Sequence, residues 1–467
     1  MQQVKHTSKI NSHYSILLIM KNKVLLLLLI ATAGLHAQTA ENAKFTLQQA
    51  IDYALKNGYS VKNAATDIEI AKKKVAEIRG IGIPQLKADA SFQNFLQVPV
   101  SIISANAFNP AAPEGAYLRI PFGVKYNANI GYTASWLAFS GEYLVGLQAS
   151  KAYVDISQTT LRKSEIEVKE NVIRAYNLVL ILKENKRILS ENIRSLDQSI
   201  EQTQAYNKEG FVEELDVDRL NLLKNNLSST LTTLEQQTLI AEKLLKFQMG
   251  FDVNADIELT ESLDNVIALA QSGVDAEPKF DPKNNIDKLL LDKAMQLQKL
   301  DLKRQQANYL PTLSTFYTWK ESRITNDFNQ LNDNTFRVPG GTIFGVNLSM
   351  PVFQGLSQSS RVKQAKLSLK KMEVQQIQAE QGIALASAQS YTGYVTALST
   401  VNNSKEAVNL ATRIRERSKI KYQEGVGSSL EVIQAENDLL SSQANYISAI
   451  QQLLDARVSL DKNLNKF

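Results

Sequence analysis

The side chains that most often carry enzyme chemistry are missing from nearly the whole chain. Its three histidines, His6, His13 and His36, lie near the N-terminus, and it contains no cysteine. From residue 38 onward this excludes a histidine acid–base relay, a cysteine nucleophile, a disulfide, and zinc or copper sites with histidine or cysteine ligands. Chemistry carried by carboxylates alone remains open. We therefore predict a protein that is not an enzyme and that holds neither a metal nor another cofactor.

The most suggestive carboxylates each follow a glycine at the same spacing. Asp216 lies in the segment 210–217 (GFVEELDV), and Glu431 occupies the matching position of 425–432 (GVGSSLEV). An acid in the first turn of a helix is favoured by the helix dipole alone, so this spacing does not by itself establish a site.

The first 37 residues have the composition of a cleaved signal peptide. A basic start at 20–23 (MKNK) precedes an apolar run over 24–30, and Ala37 is a small residue suited to cleavage. A membrane anchor helix is the alternative, but this run is shorter than the roughly 20 apolar residues that a span needs. Removing 1–37 lowers the Lys and Arg count from 52 to 48, against 47 Asp and Glu. This balance argues against nucleic acid as a partner, because phosphate binding needs clustered positive charge.

Three sequence landmarks occur twice in the same order, which indicates an internal repeat of about 215 residues. Residues 82–86 (GIPQL) resemble 309–313 (YLPTL), and 136–141 (WLAFSG) resemble 350–355 (MPVFQG); the third pair consists of the segments at Gly210 and Gly425. We expect a first repeat over 38–250, a connector over 251–285 and a second repeat over 286–467.

Long proline-free stretches predict very long helices. The regions 122–277 and 352–467 contain no proline, although the chain has ten. Apolar residues in the second region recur at the heptad spacing of a coiled coil, as in Val432, Ala435 and Leu439. At roughly 1.5 Å per residue, the helical arm that ends at the third landmark of each repeat, near 210 and near 425, would be about 100 Å long.

Four segments instead alternate between apolar and polar residues, which predicts strands at about 84–98, 123–138, 311–323 and 342–353. Such segments are typical of a transmembrane β-barrel, although a soluble sandwich would alternate similarly. The positions of Trp136 and Trp319 near the strand ends, where they would lie at the membrane interface, favour the barrel. The long segments 99–122 and 324–341 are expected to be loops. Four strands cannot close a barrel, and open edges in lipid are costly, so the chain must oligomerise.

Taken in order, these motifs resemble the TolC-type outer-membrane efflux proteins. The resemblance covers nearly all of 45–465 and includes 45–50 (FTLQQA), with its predicted Thr46/Gln49 capping pair, and the segment 422–425 (YQEG). It implies an α+β membrane protein in the outer membrane. Three copies would form a twelve-stranded transmembrane barrel, four strands from each, continuing into a coiled-coil helical tunnel across the periplasm, with an equatorial region from 251–285 and the chain ends. Such channels dock on a periplasmic adaptor and an inner-membrane transporter and export drugs, metals or proteins.

The resemblance also gives the two glycine segments a role. It places Gly210 and Gly425 at the periplasmic tips and the pore-narrowing side chains beside them. The matching positions here are Asp216 in the first repeat and, in the second, Tyr422, Glu431 and Gln434. The sequence departs from the family at Gly427, where a basic residue is expected, and at Gln434, where a second acid is expected.

Two other functions remain compatible with long helices. A periplasmic adaptor would carry compact β-domains in place of two separated strand pairs. A structural coiled-coil protein of the envelope would not need the strands or the 351–355 (PVFQG) segment.

Overall fold

The computed structural model describes residues 43–272 and 284–467. The predicted signal peptide, 1–37, lies outside the described residues, and so does 273–283 of the predicted connector. Most of the described chain is helical, with one four-stranded sheet and two small two-stranded sheets.

Four long helices dominate the described part of the chain. We number helices in chain order, so that α3 is Gly141–Lys208, α4 is Glu214–Met249, α7 is Ser357–Gln423 and α8 is Ser429–Asn463. Helices α3 and α7 contain 68 and 67 residues. Neither is interrupted, because no proline falls within them to remove a backbone donor. Helix α3 pairs with α4, and α7 pairs with α8.

Shorter elements pack against these long helices. They comprise the helices α1 (Leu47–Asn57), α2 (Tyr59–Ile81), α5 (Leu263–Gln271) and α6 (Ile286–Ala307), and the parallel strand pair β1 (Ala43–Phe45) and β6 (Ile257–Leu259). The predicted capping pair of α1 is confirmed: Gln49 N donates to Thr46 Oγ1 at 3.2 Å, and Thr46 N donates to Gln49 Oε1 at 2.9 Å.

The main core joins these elements to the long helices. Tyr176 of α3, Leu245 and Met249 of α4 and Ile450 of α8 are buried in one cluster with α1 and α5. The Tyr176 hydroxyl donates to the Phe45 carbonyl at 3.1 Å, which fixes β1 against α3. Because Tyr176 lies near the middle of α3, the packing forms a collar halfway along the helix.

The heptad positions predicted in α8 are also packed. Val432, Ala435, Leu439 and Leu453 are all buried. Within the described ranges, no helix has both the length and the apolar character needed to cross a membrane.

The four-stranded sheet is antiparallel and has the order β2-β5-β7-β8. These strands are β2 (Gln85–Asn94), β5 (Tyr126–Phe139), β7 (Thr312–Thr325) and β8 (Arg337–Ser349). Their register places the side chains of Ala88, Tyr132 and Trp319 on one face, together with other apolar side chains. The opposite face is polar.

The polar face carries hydrogen bonds from strand to strand. Asn129 of β5 donates through Nδ2 to Ser91 Oγ at 3.3 Å and accepts from Ser322 Oγ at 2.6 Å. The hydroxyls of Thr133 and Thr318 are 3.3 Å apart. The two faces therefore differ in polarity, as the alternation predicts.

The predicted bounds of the strands and of one loop need correction. Strand β2 ends at Asn94 rather than 98, where its ladder with β5 ends at Tyr126, and a single further backbone bond follows from Phe95 N to Lys125 O at 2.8 Å. Strand β5 accordingly starts at 126 rather than 123 and ends at 139. The segment 99–122, predicted as a loop, contains an antiparallel hairpin of β3 (Val100–Ser104) and β4 (Tyr117–Pro121).

Strand β8 is shifted toward the N-terminus, covering 337–349 instead of 342–353. It includes Pro339 and Gly340 at an irregularity opposite Glu321. A Cβ on Gly340 would lie 1.8 Å from the Lys320 carbonyl oxygen, so only glycine fits there. The strand ends before Pro351, which has no N–H to donate to the ladder. Strand β7 also extends past the predicted 323, to Thr325.

We predict that Gly250→Ala destabilises the fold. Gly250 ends α4 with φ of 70°, and an added Cβ would lie 2.4 Å from the Asn57 carbonyl oxygen. The left-handed conformation alone costs a non-glycine residue roughly 1–2 kcal/mol, so the melting temperature of the purified protein, followed by circular dichroism, should fall clearly. Gly382→Ala in α7 is the matched control. Nothing lies within 4 Å of its added Cβ, and alanine is the better helix former, so it should not lower the melting temperature. Equal effects from both variants would contradict the prediction.

Candidate functional site

The two turns between long helices have the same backbone geometry. Gly210, after α3, has φ of 79°, and Gly425, after α7, has φ of 76°. At each turn the glycine N–H and the following N–H bond back to helix carbonyls: Phe211 N to Tyr206 O at 2.9 Å, and Val426 N to Lys421 O at 3.0 Å. This is the Schellman pattern, which needs a left-handed residue at the glycine position. Because no atom lies within 4 Å of a Cβ added at either glycine, the backbone angle alone explains the choice.

Asp216 connects the two helix pairs near these turns. It lies in the first turn of α4, its side chain is 18% exposed, and its Oδ1 accepts a hydrogen bond from Ser429 Oγ of α8 at 2.5 Å. Arg219 Nη1 is 3.9 Å from the same oxygen. The carboxylate therefore joins the start of α4 to the start of α8.

Tyr422 lies in the same seam between the helix pairs. Its hydroxyl oxygen is buried and makes no hydrogen bond within the described residues. Burial raises the pKa of this hydroxyl, the adjacent Thr203 side chain partly opposes that shift, and the negative charge of Asp216 adds to it, so the phenol is neutral at physiological pH. A cavity of about 20 Å³ beside it is lined by Ser199, Thr203 and Ser429, among others. This volume can hold one water molecule to bridge the hydroxyl.

Glu431 and Gln434 lie on a different surface. Both are exposed on α8. Glu431 N donates to Ser428 Oγ at 3.2 Å, which caps the helix, and Gln434 Nε2 donates to Asp438 Oδ1 at 2.9 Å. The structure thus brings Asp216 and Tyr422 together in the seam and leaves Glu431 and Gln434 on an open helix face. Asp438 extends that face, and its spacing of seven residues from Glu431 could have identified it.

A buried ion pair farther from the turn escaped the sequence analysis. Arg415 Nε of α7 is 2.9 Å from Glu436 Oε1 of α8, with side chains 18% and 11% exposed, and Arg415 Nη2 also donates to Ser195 Oγ of α3. The group joins three helices. No local motif marks it, because Ser195 is 220 residues away from Arg415.

The two tryptophans occupy different levels of the sheet. Trp136 lies near the helix end of β5, where its Nε1 donates to the Gly82 carbonyl at 3.0 Å. Trp319 lies near the middle of β7 and stacks on Tyr132, with ring centroids 5.7 Å apart. The expectation that both lie near strand ends is therefore wrong for Trp319, because β7 continues past it to Thr325.

The described residues contain no group of three or more His, Cys, Asp or Glu side chains placed to hold a metal ion.

Comparison with known proteins decides the family. A family model described as "Outer membrane efflux protein" matches residues 50–250 and 295–466, most of the chain. The chain belongs to this family. It is therefore an outer membrane protein of the TolC-like channel type, and not an enzyme.

Individual relatives agree with this assignment. Outer membrane protein TolC of Escherichia coli K12 is 23% identical over 416 residues, covering 86% of this chain and 78% of TolC. The outer membrane protein VceC of Vibrio cholerae has the same fold at 14% identity, with a TM-score of 0.66 over 90% of this chain and 95% of VceC. The CmeC outer membrane channel of Campylobacter jejuni also has a TM-score of 0.66, at 17% identity, over 90% of this chain and 85% of CmeC. Membership in this family favours a channel over the adaptor and coiled-coil alternatives.

We predict that Arg415→Met destabilises the helix assembly of this efflux protein more than the double variant Arg415→Met/Glu436→Leu does. Breaking a buried ion pair leaves one charge without a partner, at a cost of about 3–5 kcal/mol, whereas replacing both partners avoids that penalty. Thermal unfolding of the purified protein measures the difference. Arg417→Met is the control, because Arg417 is exposed on the same helix. Equal losses in the single and double variants would show that the pair is not coupled.

Proposed function

We propose that three copies of this chain form one outer-membrane export channel. Four strands from each copy would complete a twelve-stranded barrel, and the long helices would continue it as a coiled-coil tunnel through the periplasm. The observation that carries the proposal is the pairing at the sheet edges. Within the described residues, β2 pairs only with β5 and β8 pairs only with β7. Since unpaired backbone groups in lipid cost several kcal/mol each, β2 of one copy should pair with β8 of the next.

The two faces of the sheet support the same arrangement. The apolar face would contact lipid, and the polar face, with its Asn129 and Thr133 hydrogen bonds, would line a water-filled lumen. The hairpin of β3 and β4 lies at the end of the sheet away from the helices, where the longer extracellular loops of such barrels are found.

The proposal also assigns a role to each part of the chain. Residues 1–37 would be removed as a signal peptide, 38–250 and 286–467 would be the two structural repeats, and 251–285 would form the equatorial connector. Helices α3 and α7, with 68 and 67 residues, would then span equal lengths of the periplasm from barrel to tip.

The exposed residues at the two turns are suited to docking. Phe211 and Val426 are each 78% exposed, directly after Gly210 and Gly425. We propose that these periplasmic tips contact an adaptor that connects the channel to an inner-membrane transporter, in an efflux or type I secretion system. The chain would serve as a passive duct.

The side chains beside the tips would form the aperture. Asp216 and Tyr422 would hold the two helix pairs together, while Glu431 and Gln434 on the exposed face of α8 would narrow the pore. The helix-dipole role of Glu431 is the competing explanation, and it is supported by the cap at Ser428.

Cysteine crosslinking tests the assembly. The natural chain has no cysteine, so every disulfide that forms must join introduced residues. One cysteine on β2, at Leu86, Ala88 or Ala90, is combined in the same chain with one on β8, at Thr342, Phe344 or Val346. We expect some pairs to give covalent dimers and trimers on non-reducing gels, from protein that fractionates with outer membranes and needs detergent. In the control, the β2 cysteine is replaced by one at Ala134 of β5, which is flanked by strands of its own chain. Recovery as a soluble, uncrosslinked monomer would overturn the proposal.

Conductance in planar bilayers tests the aperture. We expect Asp216→Ala combined with Glu431→Ala to raise the conductance or to lower the preference for cations, because the double variant removes a tie between helix pairs and an exposed charge. Asp218→Ala serves as the control, since Asp218 is exposed two residues away. Unchanged conductance and selectivity in the double variant would favour the helix-dipole role.

A further inference from the structure

Three charged side chains form a cluster on the apolar face of the sheet. Arg337 Nη2 of β8 lies 2.7 Å from Glu321 Oε2 of β7, and Arg323 Nε lies 3.8 Å from Glu321 Oε1. The Glu321 side chain is only 12% exposed, whereas Arg323 and Arg337 are 32% and 48% exposed. One buried carboxylate therefore holds two more accessible guanidinium groups side by side.

The register places this cluster at a defined level of the sheet. Glu321 and Arg323 alternate with Lys320 and Ser322, so they share the face of Trp319, and they lie opposite Ile130 and Ala128. Charged groups on a lipid-facing surface are strongly disfavoured near the middle of a bilayer and are tolerated at its interfaces, where Trp and Tyr collect. The stacked rings of Trp319 and Tyr132 would thus mark the edge of the hydrocarbon, and Glu321 would lie one step beyond it, toward the loops.

The cluster itself favours an anion, because it has two guanidinium groups against one carboxylate, and charges of both signs lie around it. Besides the two arginines, the Lys125 ammonium lies 5.2 Å from the centre of the Tyr126 ring, at the same end of the sheet. The nearby loop contributes the carboxylates of Asp327 and Asp333, which accept the backbone N–H groups of Asn329 and Thr335. Arg323 Nη1 also donates to the Leu331 carbonyl at 3.2 Å, which leaves Arg337 as the more accessible of the pair.

We propose that Arg323 and Arg337 bind a phosphate of a phosphorylated glycolipid in the outer leaflet of the membrane, and that Glu321 positions them. The inference rests on the proposed function, because it requires the apolar face to contact lipid. The planar guanidinium group matches the oxygens of a phosphate and donates paired hydrogen bonds to it. Three copies in a channel would carry three such sites around the barrel.

The test measures lipid retained by the full chain after extraction from outer membranes in a mild detergent. Native mass spectrometry and phosphate analysis give the amount of phosphorylated glycolipid per protomer. We expect Arg323→Gln/Arg337→Gln to retain about tenfold less than the unaltered protein, the effect of losing charge-assisted hydrogen bonds. Lys320→Gln is the matched control: it removes one positive charge from the adjacent position on the opposite face, and it should retain the full amount.

A second measurement separates a lipid from a free ion. Purified, delipidated protein is heated with the phosphorylated glycolipid, with the same glycolipid after enzymatic dephosphorylation, or with inorganic phosphate. Only the first should raise the melting temperature, and the double variant should lose that increase. Equal stabilisation by inorganic phosphate, or equal lipid content in the double variant and the unaltered protein, would overturn the inference.

If the double variant does not fold, the single variant Arg337→Gln takes its place in the test, because it leaves the hydrogen bond from Arg323 to the Leu331 carbonyl intact. It should still retain several-fold less lipid than Lys320→Gln, and equal retention would overturn the inference. A chain recovered as a soluble periplasmic protein would instead contradict the proposed channel itself. Outer-membrane protein with unchanged lipid would contradict only the lipid site.

Discussion

Backbone hydrogen bonding along the strands is the constraint on which the rest of this protein depends. A sheet with four strands has two edges, and here the N–H and C=O groups of β2 and β8 face outward with no partner strand within the described residues. In water such edges can be solvated, but in lipid they cannot. In the proposed channel this sheet lies in the membrane, and that placement accounts for its apolar face, its polar opposite face and the pairing of its edges with further copies.

The helices answer a different requirement. Helices α3 and α7 satisfy their own backbone groups along their length, so they can extend far from the sheet without a partner for each residue. Their stability comes from packing at the collar around Tyr176 and Leu245 and from pairing with α4 and α8. Toward the turns, a smaller apolar cluster of Leu196, Ile200 and Leu220 is joined by polar ties between Arg415 and Glu436 and between Asp216 and Ser429. Polar ties of this kind depend on charge and geometry, and they can be exchanged for bonds to water at a lower cost than an apolar core can be opened.

The packing between the helix pairs also explains which site residues could be located from the sequence. Asp216 and Glu431 occupy matching positions after their glycines, and the sequence suggests equal roles. In the structure, the carboxylate of Asp216 lies in the seam and bonds to Ser429, whereas Glu431 lies on an exposed face. The difference arises because the helices that follow the two turns present different faces to each other. The spacing of residues within one segment does not specify which face is turned inward. The buried pair of Arg415 and Glu436 was missed for the same reason, since neither belongs to a local motif.

By itself, the sequence determined the features that depend on local physical chemistry. The absence of histidine and cysteine after residue 37 excluded whole classes of enzyme and metal site, proline placement allowed the long helices, and alternation predicted the four strands. The family resemblance of the sequence placed Gly210 and Gly425 at the tips. Only the tertiary structure decided where β8 begins, because its start depends on a glycine passing close to the Lys320 carbonyl of the neighbouring strand. It likewise decided that Trp319 lies mid-strand beside Tyr132, and that Glu321 gathers two arginines just beyond it. These are contacts between segments far apart in the chain, and their geometry is set by register and packing, which local residue preferences do not specify.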